Sequence, residues 1–414
     1  MSPVDPPVTT SETPSRSSRR AFIASAATVT ATALAGCSAL TDDDRARVHD
    51  GDWHSFGNGP TNANHVAGGL PEPDGHESLT AADWPYTPPV VHDGVAYVAA
   101  ERRVVAVDPA DGERWSRRLD AEVSGAPALD PDRGRIYVPT RSGGNGPESN
   151  EPESTPASVT VISLAGGDVL DAHRVGKEQP YGVSVVDGDV YARCASACVR
   201  LAPDGTERWR RPLEPLVYDE YNLGDSTATQ IAPAVTDDGV YVPDRDALVK
   251  LDRGTGEERW RVDVDTPYAA PTAVDGGVVQ TGWQGTVAVD DSGEVRWRRN
   301  LHSRAAAAAS DGDVYVVAGD LHELAADSGE TNWRAHLPSE GTAAPVVADD
   351  AVLAVAGDVR AFDRNASGVP TAERKRWQTS AVHATAYASP VIAAGHVFVA
   401  SPDSLLALQP KGSE

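Results

Sequence analysis

Cys194 and Cys198 are the pair whose type and spacing most directly imply chemistry. They flank Ala195-Ser196-Ala197, between the alternating segments Val190-Tyr191-Ala192-Arg193 and Val199-Arg200-Leu201. A three-residue hairpin loop would set the two thiols opposite one another, within disulfide reach. In an oxidising compartment such a bridge persists. Two thiols alone make a poor metal site, and redox catalysis would need the missing CxxC. The enclosed loop is short, so the bridge would fix the hairpin tip more than it stabilises the whole fold. The eleven histidines are scattered, with His173, His302 and His336 following strands and no pair at metal-ligand spacing. No GxSxG, phosphate-binding loop or HExxH is present. The aspartates fall mainly in turns, where Asp is a turn former. No catalytic residues and no metal ligands are assigned, and no cofactor is expected.

The elements that hold these residues repeat. An alternating apolar strand, an Asp, a Gly turn and a charged strand built on Trp recur seven times after residue 100. One copy runs Val105-Ala106-Val107-Asp108 to Gly112-Glu113-Arg114-Trp115, and others end at Trp209, Trp260, Trp297, Trp333 and Trp377. A copy without Trp runs Val161-Ile162-Ser163-Leu164 to Gly167-Asp168-Val169-Leu170, with Leu170 at the Trp position. Two further strands precede each such pair, joined by turns such as Asp93-Gly94, Asp187-Gly188 and Asp311-Gly312. Four strands recurring at about 40 residues predict a β-propeller. The last copy lacks its Trp strand, which Thr80-Ala81-Ala82-Asp83-Trp84 could supply from the other end of the chain. The reading is therefore all-β, an eight-bladed propeller with four antiparallel strands per blade, or seven blades if the copy at Leu170 is degenerate. The six repeat Trp residues are read as blade packing.

Function in such a fold lies in departures from the repeat. Loops joining second to third strands, and each blade to the next, share one face. Insertions at Arg141 to Ser158 and Glu214 to Gln230 lie there, with the Cys194 hairpin between them. Tyr181, Tyr268 and Tyr387 recur just before first strands; with Tyr218, Tyr221 and Trp283 they form a candidate aromatic binding face. The recurrent tyrosines could equally pack between blades. The opposite face carries Arg364 to Arg376, where Asn365-Ala366-Ser367 is a glycosylation sequon.

Ser18-Arg19-Arg20-Ala21-Phe22-Ile23 resembles a twin-arginine export signal, and Leu34-Ala35-Gly36-Cys37 resembles a lipobox with Cys37 as lipid anchor. Residues 1–36 then form the signal, 37–52 an acidic tether and 53–410 the propeller, held on the outer side of the cell membrane. Net charge is −25, and Lys177, Lys250, Lys375 and Lys411 are the lysines of an otherwise Arg-based basic set. This balance resembles that of proteins of salt-loving archaea and disfavours a nucleic-acid partner.

The blade motif, and the lead-in Asp52-Trp53-His54-Ser55-Phe56-Gly57-Asn58-Gly59-Pro60-Thr61-Asn62, resemble pyrroloquinoline-quinone-type (PQQ-like) propeller repeats. Those repeats are shared by quinoprotein dehydrogenases and BamB-like lipoproteins. The resemblance implies a monomeric propeller that binds an unidentified protein or small ligand at one face without catalysis. The alternative is a quinone-dependent or other propeller oxidoreductase, with PQQ and Ca²⁺ as its cofactors. The cysteine ring that clamps the quinone in those enzymes needs adjacent cysteines, which this chain lacks.

Overall fold

The computed structural model describes residues 48–81, 87–141, 157–177, 179–216, 231–264, 267, 269–366, 374–379, 384 and 388–411. Arg19, Arg20, Cys37, Trp84, Tyr218, Tyr221, Tyr268 and Tyr387 lie outside them. So does most of each of the three insertions.

Asp93–Gly94, Asp187–Gly188 and Asp311–Gly312 all have positive φ, the geometry of a two-residue turn whose twist matches its strands. Each turn folds a short first strand onto a second, as at Val90–His92 and Val95–Ala100. The eight sheets so built are all antiparallel and form the blades of a propeller. Blades 1 to 7 occupy residues 90–118, 122–176, 180–212, 234–263, 272–299, 308–335 and 346–379. In blade 2 two short strands, Glu122–Val123 and Ala128–Asp130, share the innermost position. Inner strands are buried on both faces, whereas outer strands such as Gly112–Arg118 are largely exposed.

Blade 8 is assembled from both ends of the chain. Val391–Ala393, His396–Ser401 and Ser404–Pro410 are completed by Pro73–Ala81, paired from Pro73↔Pro410 to Ala81↔Ser404. The closing strand begins seven residues before the expected Thr80. Its polar sequence fits an outermost strand, which needs no apolar alternation.

The Trp and Gly of the repeat work as one joint between blades. The indole Nε1 of Trp115, Trp209, Trp260 and Trp297 donates to the carbonyl of Leu164, Arg253, Asp291 and Ala326 respectively, at 2.9–3.1 Å. Each ring lies on a turn glycine of the next blade, Gly167, Gly256, Gly293 or Gly329, where an added Cβ would come within 2.5–2.9 Å. Trp333 instead donates to Glu323 in its own blade, at 2.6 Å. Trp377 is half-buried against the cluster that joins blades 7, 8 and 1.

In blade 2 the slot belongs to His173, not Leu170. Leu170 is 53% exposed, whereas His173 is buried and lies over Gly205 and against Tyr137 (centroids 6.3 Å apart). Tyr97–Trp115 and Tyr191–Trp209 make the equivalent contact at 5.9 and 6.1 Å. Burial lowers the His173 pKa, opposed by the nearby Asp171 carboxylate. Below about pH 6.5 the unfolded chain takes up a proton that the native ring resists, so stability should fall as pH drops. His65 and His322 are lowered by burial too and add the same sign. Melting should occur at lower temperature near about pH 5.5 than at neutral pH, and His173→Gln should shrink that difference. A difference unchanged by the substitution would contradict this account of the slot.

The lead-in segment is part of the propeller. It runs along the first strands around the axis, accepting amide hydrogen bonds from seven of the eight blades. The pairs are Ala394 to Gly51, Val91 to Trp53, Leu129 to His54, Val235 to Pro60, Ala273 to Thr61, Ala309 to Ala63 and Val347 to Asn64, at 2.7–2.9 Å. The His49 carbonyl accepts from Gly395, so residues read as tether already belong to the domain. Asn62 Nδ2 donates to the Ala232 and Pro271 carbonyls, and Asn64 Nδ2 to that of Ala307. Phe56 is 0% exposed and packs with Ala126, Ala232, Ala269, Ala270, Ala306 and Ala344, which precede the first strands. Small residues there let one aromatic ring fill the axis.

Candidate functional site

Topology places the flanks of the first two insertions, the Cys194 hairpin and the Trp283 turn on one face. Trp283 sits in the turn between Gly277–Gly282 and Gly285–Asp290, and its side chain is 49% exposed. The Arg304 guanidinium lies 5.6 Å from the ring centroid. His302 hydrogen-bonds through Nδ1 with the Trp283 carbonyl. An exposed indole paired with arginine is the composition of an interface anchor. From this rim a groove of about 580 Å³ runs between blades 6 and 7, lined by Asp320, Arg334, His336, Arg360, Phe362 and Lys375. Its cationic side chains stand out on a chain of net charge −25.

Two sequence expectations on this face are corrected. Tyr181 is 2% exposed and packs with Leu216, Ile231 and Ala195, so it belongs to the core and not to a binding surface. Cys194 and Cys198 are not bridged. Cys194 pairs with Ala197 across a two-residue turn, while Cys198 pairs with Arg193. The thiols therefore project from opposite faces of the sheet, Cys194 into the packing of blades 2 and 3 and Cys198 into that of blades 3 and 4. Burial pushes the Cys198 pKa well up, which makes this thiol inert. Arg193, fully buried, fixes the hairpin tip instead. Its guanidinium donates to the carbonyls of Pro243, Cys194, Ala195 and Glu214, tying the tip to blade 4 and to the root of the second insertion.

On the opposite face Asn365 is exposed, with Nδ2 donating to the Asp349 carbonyl at 3.2 Å. At the start of the lead-in, among the described residues, Asp52, His54 and His92 form a set close enough to hold a metal. Asp52 Oδ2 lies 3.0 Å from His54 Nε2 and 2.7 Å from His92 Nδ1, and Asp52 Oδ1 accepts from the Asp93 amide at 3.0 Å. Burial acts to raise the Asp52 pKa, but the hydrogen bonds from His92, His54 and Asp93 hold it below the ordinary value. The sequence reading missed this set because His92 lies 40 residues from Asp52. Only the pairing of Trp53 with Val91 brings them together.

The family model described as outer membrane protein assembly factor BamB matches residues 73–151, 195–287 and 283–414. A BamB of Nitrosomonas eutropha is 32% identical over 93 residues, 22% of this chain and 22% of that protein. The serine/threonine-protein kinase AfsK of Streptomyces griseus is 28% identical over 208 residues, 47% of this chain and 23% of that protein. The chain thus spans under a quarter of the length of these curated relatives. Among solved structures, BamB of Moraxella catarrhalis superposes with a TM-score of 0.63 at 14% identity, covering 82% of this chain and 98% of that one. A quinohemoprotein alcohol dehydrogenase of Comamonas testosteroni also gives 0.63, at 12% identity over 87% of this chain and 81% of that one. Likeness at such identity concerns the fold. The described axial residues do not fit a planar tricyclic quinone at the level of Phe56, because the phenyl ring and its alanines already fill that space.

Proposed function

The chain belongs to the BamB family of β-propellers, and from that premise we propose that it captures a protein partner on the Trp283 face, without catalysis. The observation that carries this reading is the half-exposed indole stacked by Arg304, on the face that also roots both long insertions. The filled axis favours an edge or face contact over a ligand held in the central channel. Export through the Arg19-Arg20 signal and a lipid on Cys37 would hold the domain at the outer side of the membrane. The outer-membrane role named for the relatives belongs to those proteins; the part carried over here is capture of a partner by a tethered propeller.

The test compares Trp283→Ser/Arg304→Ser with the parent protein in quantitative co-purification from cells. Truncating an interface anchor costs about 2 kcal/mol or more, so captured partner should fall roughly 30-fold while the melting temperature holds. Cys37→Ser in the same cells should release folded protein from the membrane. Unchanged capture by the double variant would sink the face, and stoichiometric quinone with calcium on the purified protein would sink the non-catalytic reading.

A further inference from the structure

We propose that Asp52, His54 and His92 form a binding site for a divalent transition metal of the Zn²⁺ class, clipping the lead-in segment to blade 1. The three donor atoms lie within 4.8 Å of one another. Tetrahedral zinc with bonds of about 2.0–2.1 Å spaces its ligands about 3.4 Å apart, so side-chain adjustments suffice. Both arms of the site are fixed by backbone. Trp53, between two of the ligands, exchanges amide bonds with Val91 at 2.7 and 2.9 Å, and the His54 carbonyl accepts from Leu129 at 2.7 Å.

The surroundings are those of an oriented ligand set. The Asp93 amide occupies Asp52 Oδ1, leaving Oδ2 aimed at both imidazoles. The other nitrogen of His92, Nε2, lies 3.6 Å from the Asp93 carboxylate. That carboxylate is exposed and lies beyond hydrogen-bond distance, so it adds only a screened favourable charge beside the ring. Asp93 holds this place from a left-handed turn position, with φ of 48°. Two imidazoles and one carboxylate suit zinc, cobalt, nickel or copper, whereas calcium and magnesium prefer an all-oxygen set. Three protein ligands leave a further coordination position to water or an outside ligand. The half-buried site is open to ion exchange. Because two ligands come from the lead-in and one from blade 1, bound metal would couple docking of the lead-in on blade 1 to the ion.

The experiment uses full-length protein stripped with chelator and titrated separately with Zn²⁺ and Co²⁺. Calorimetry should give one ion per chain, Co²⁺ should develop the visible bands of a low-symmetry site, and Zn²⁺ should raise the melting temperature. Asp93→Asn, which tolerates the same backbone conformation and keeps the amide bond to Asp52, should leave binding within a few-fold of the parent. His92→Ala should abolish it, and His65→Ala, at a different histidine of the same segment, should leave it intact. Because His92→Ala could disturb the contact of the lead-in with blade 1, its folding is checked by circular dichroism, and His54→Gln provides a second ligand variant. Absence of stoichiometric binding in the parent protein, or parental affinity in folded His92→Ala and His54→Gln, would overturn the site and leave a hydrogen-bonded clip alone.

Discussion

A chain ended at residue 385 is expected to lose cooperative folding altogether. The cut removes Val391–Ala393, His396–Ser401 and Ser404–Pro410, and with them the strand that pairs with Pro73–Ala81. It also strips Val391, Ile392, Phe398, Leu405 and Leu408 from the cluster that joins blades 7, 8 and 1. The open ring exposes the apolar faces of blades 7 and 1 that packed on blade 8, and leaves Pro73–Ala81 without its pairing strand, both of which favour aggregation. Soluble expression followed by thermal melting reads the outcome. A soluble fragment with a single sharp transition would show that the seam is dispensable, and would contradict closure by both termini.

Phe56→Ala should be among the most costly single changes in the lead-in. The ring is wholly buried among alanines, whose side chains are too short to collapse into the void. Phe-to-Ala changes in cores cost about 3–5 kcal/mol, and poor local collapse places this one toward the upper end. Denaturant unfolding should show that loss with the baseline fold retained. A loss below about 1 kcal/mol would mean that the axis is loosely filled, and would reopen it to a central ligand.

The repeat was legible because its residues do local work. Asp-Gly turns need positive φ, and Trp recurs because each blade must pack on the next. What was not legible depends on long-range pairing or on single-residue register. Pro73–Ala81 carries no apolar alternation, so only the missing eighth strand pointed toward the N-terminus, and it reached just the last two residues of the closing strand, Thr80 and Ala81. The cysteine hairpin turned on two loop residues against three. That difference moves Cys198 to the other face of the sheet and replaces a disulfide by the buried Arg193. His173 was not read as the slot residue, because an imidazole, not an indole, fills the slot. Asp52, His54 and His92 are brought together by a bridge that no spacing rule contains. Trp283 was readable from its turn, whereas Tyr181, with the same apparent claim to the face, is core.

The central claim is that one face captures a protein partner. Site-specific photocrosslinking in intact cells tests it most directly, with the crosslinker at Gln284, beside Trp283, or at Asp111, an exposed turn residue on the opposite face. The prediction is a discrete protein adduct from position 284 and none from position 111. No adduct from 284, or the same adducts from both positions, would contradict it.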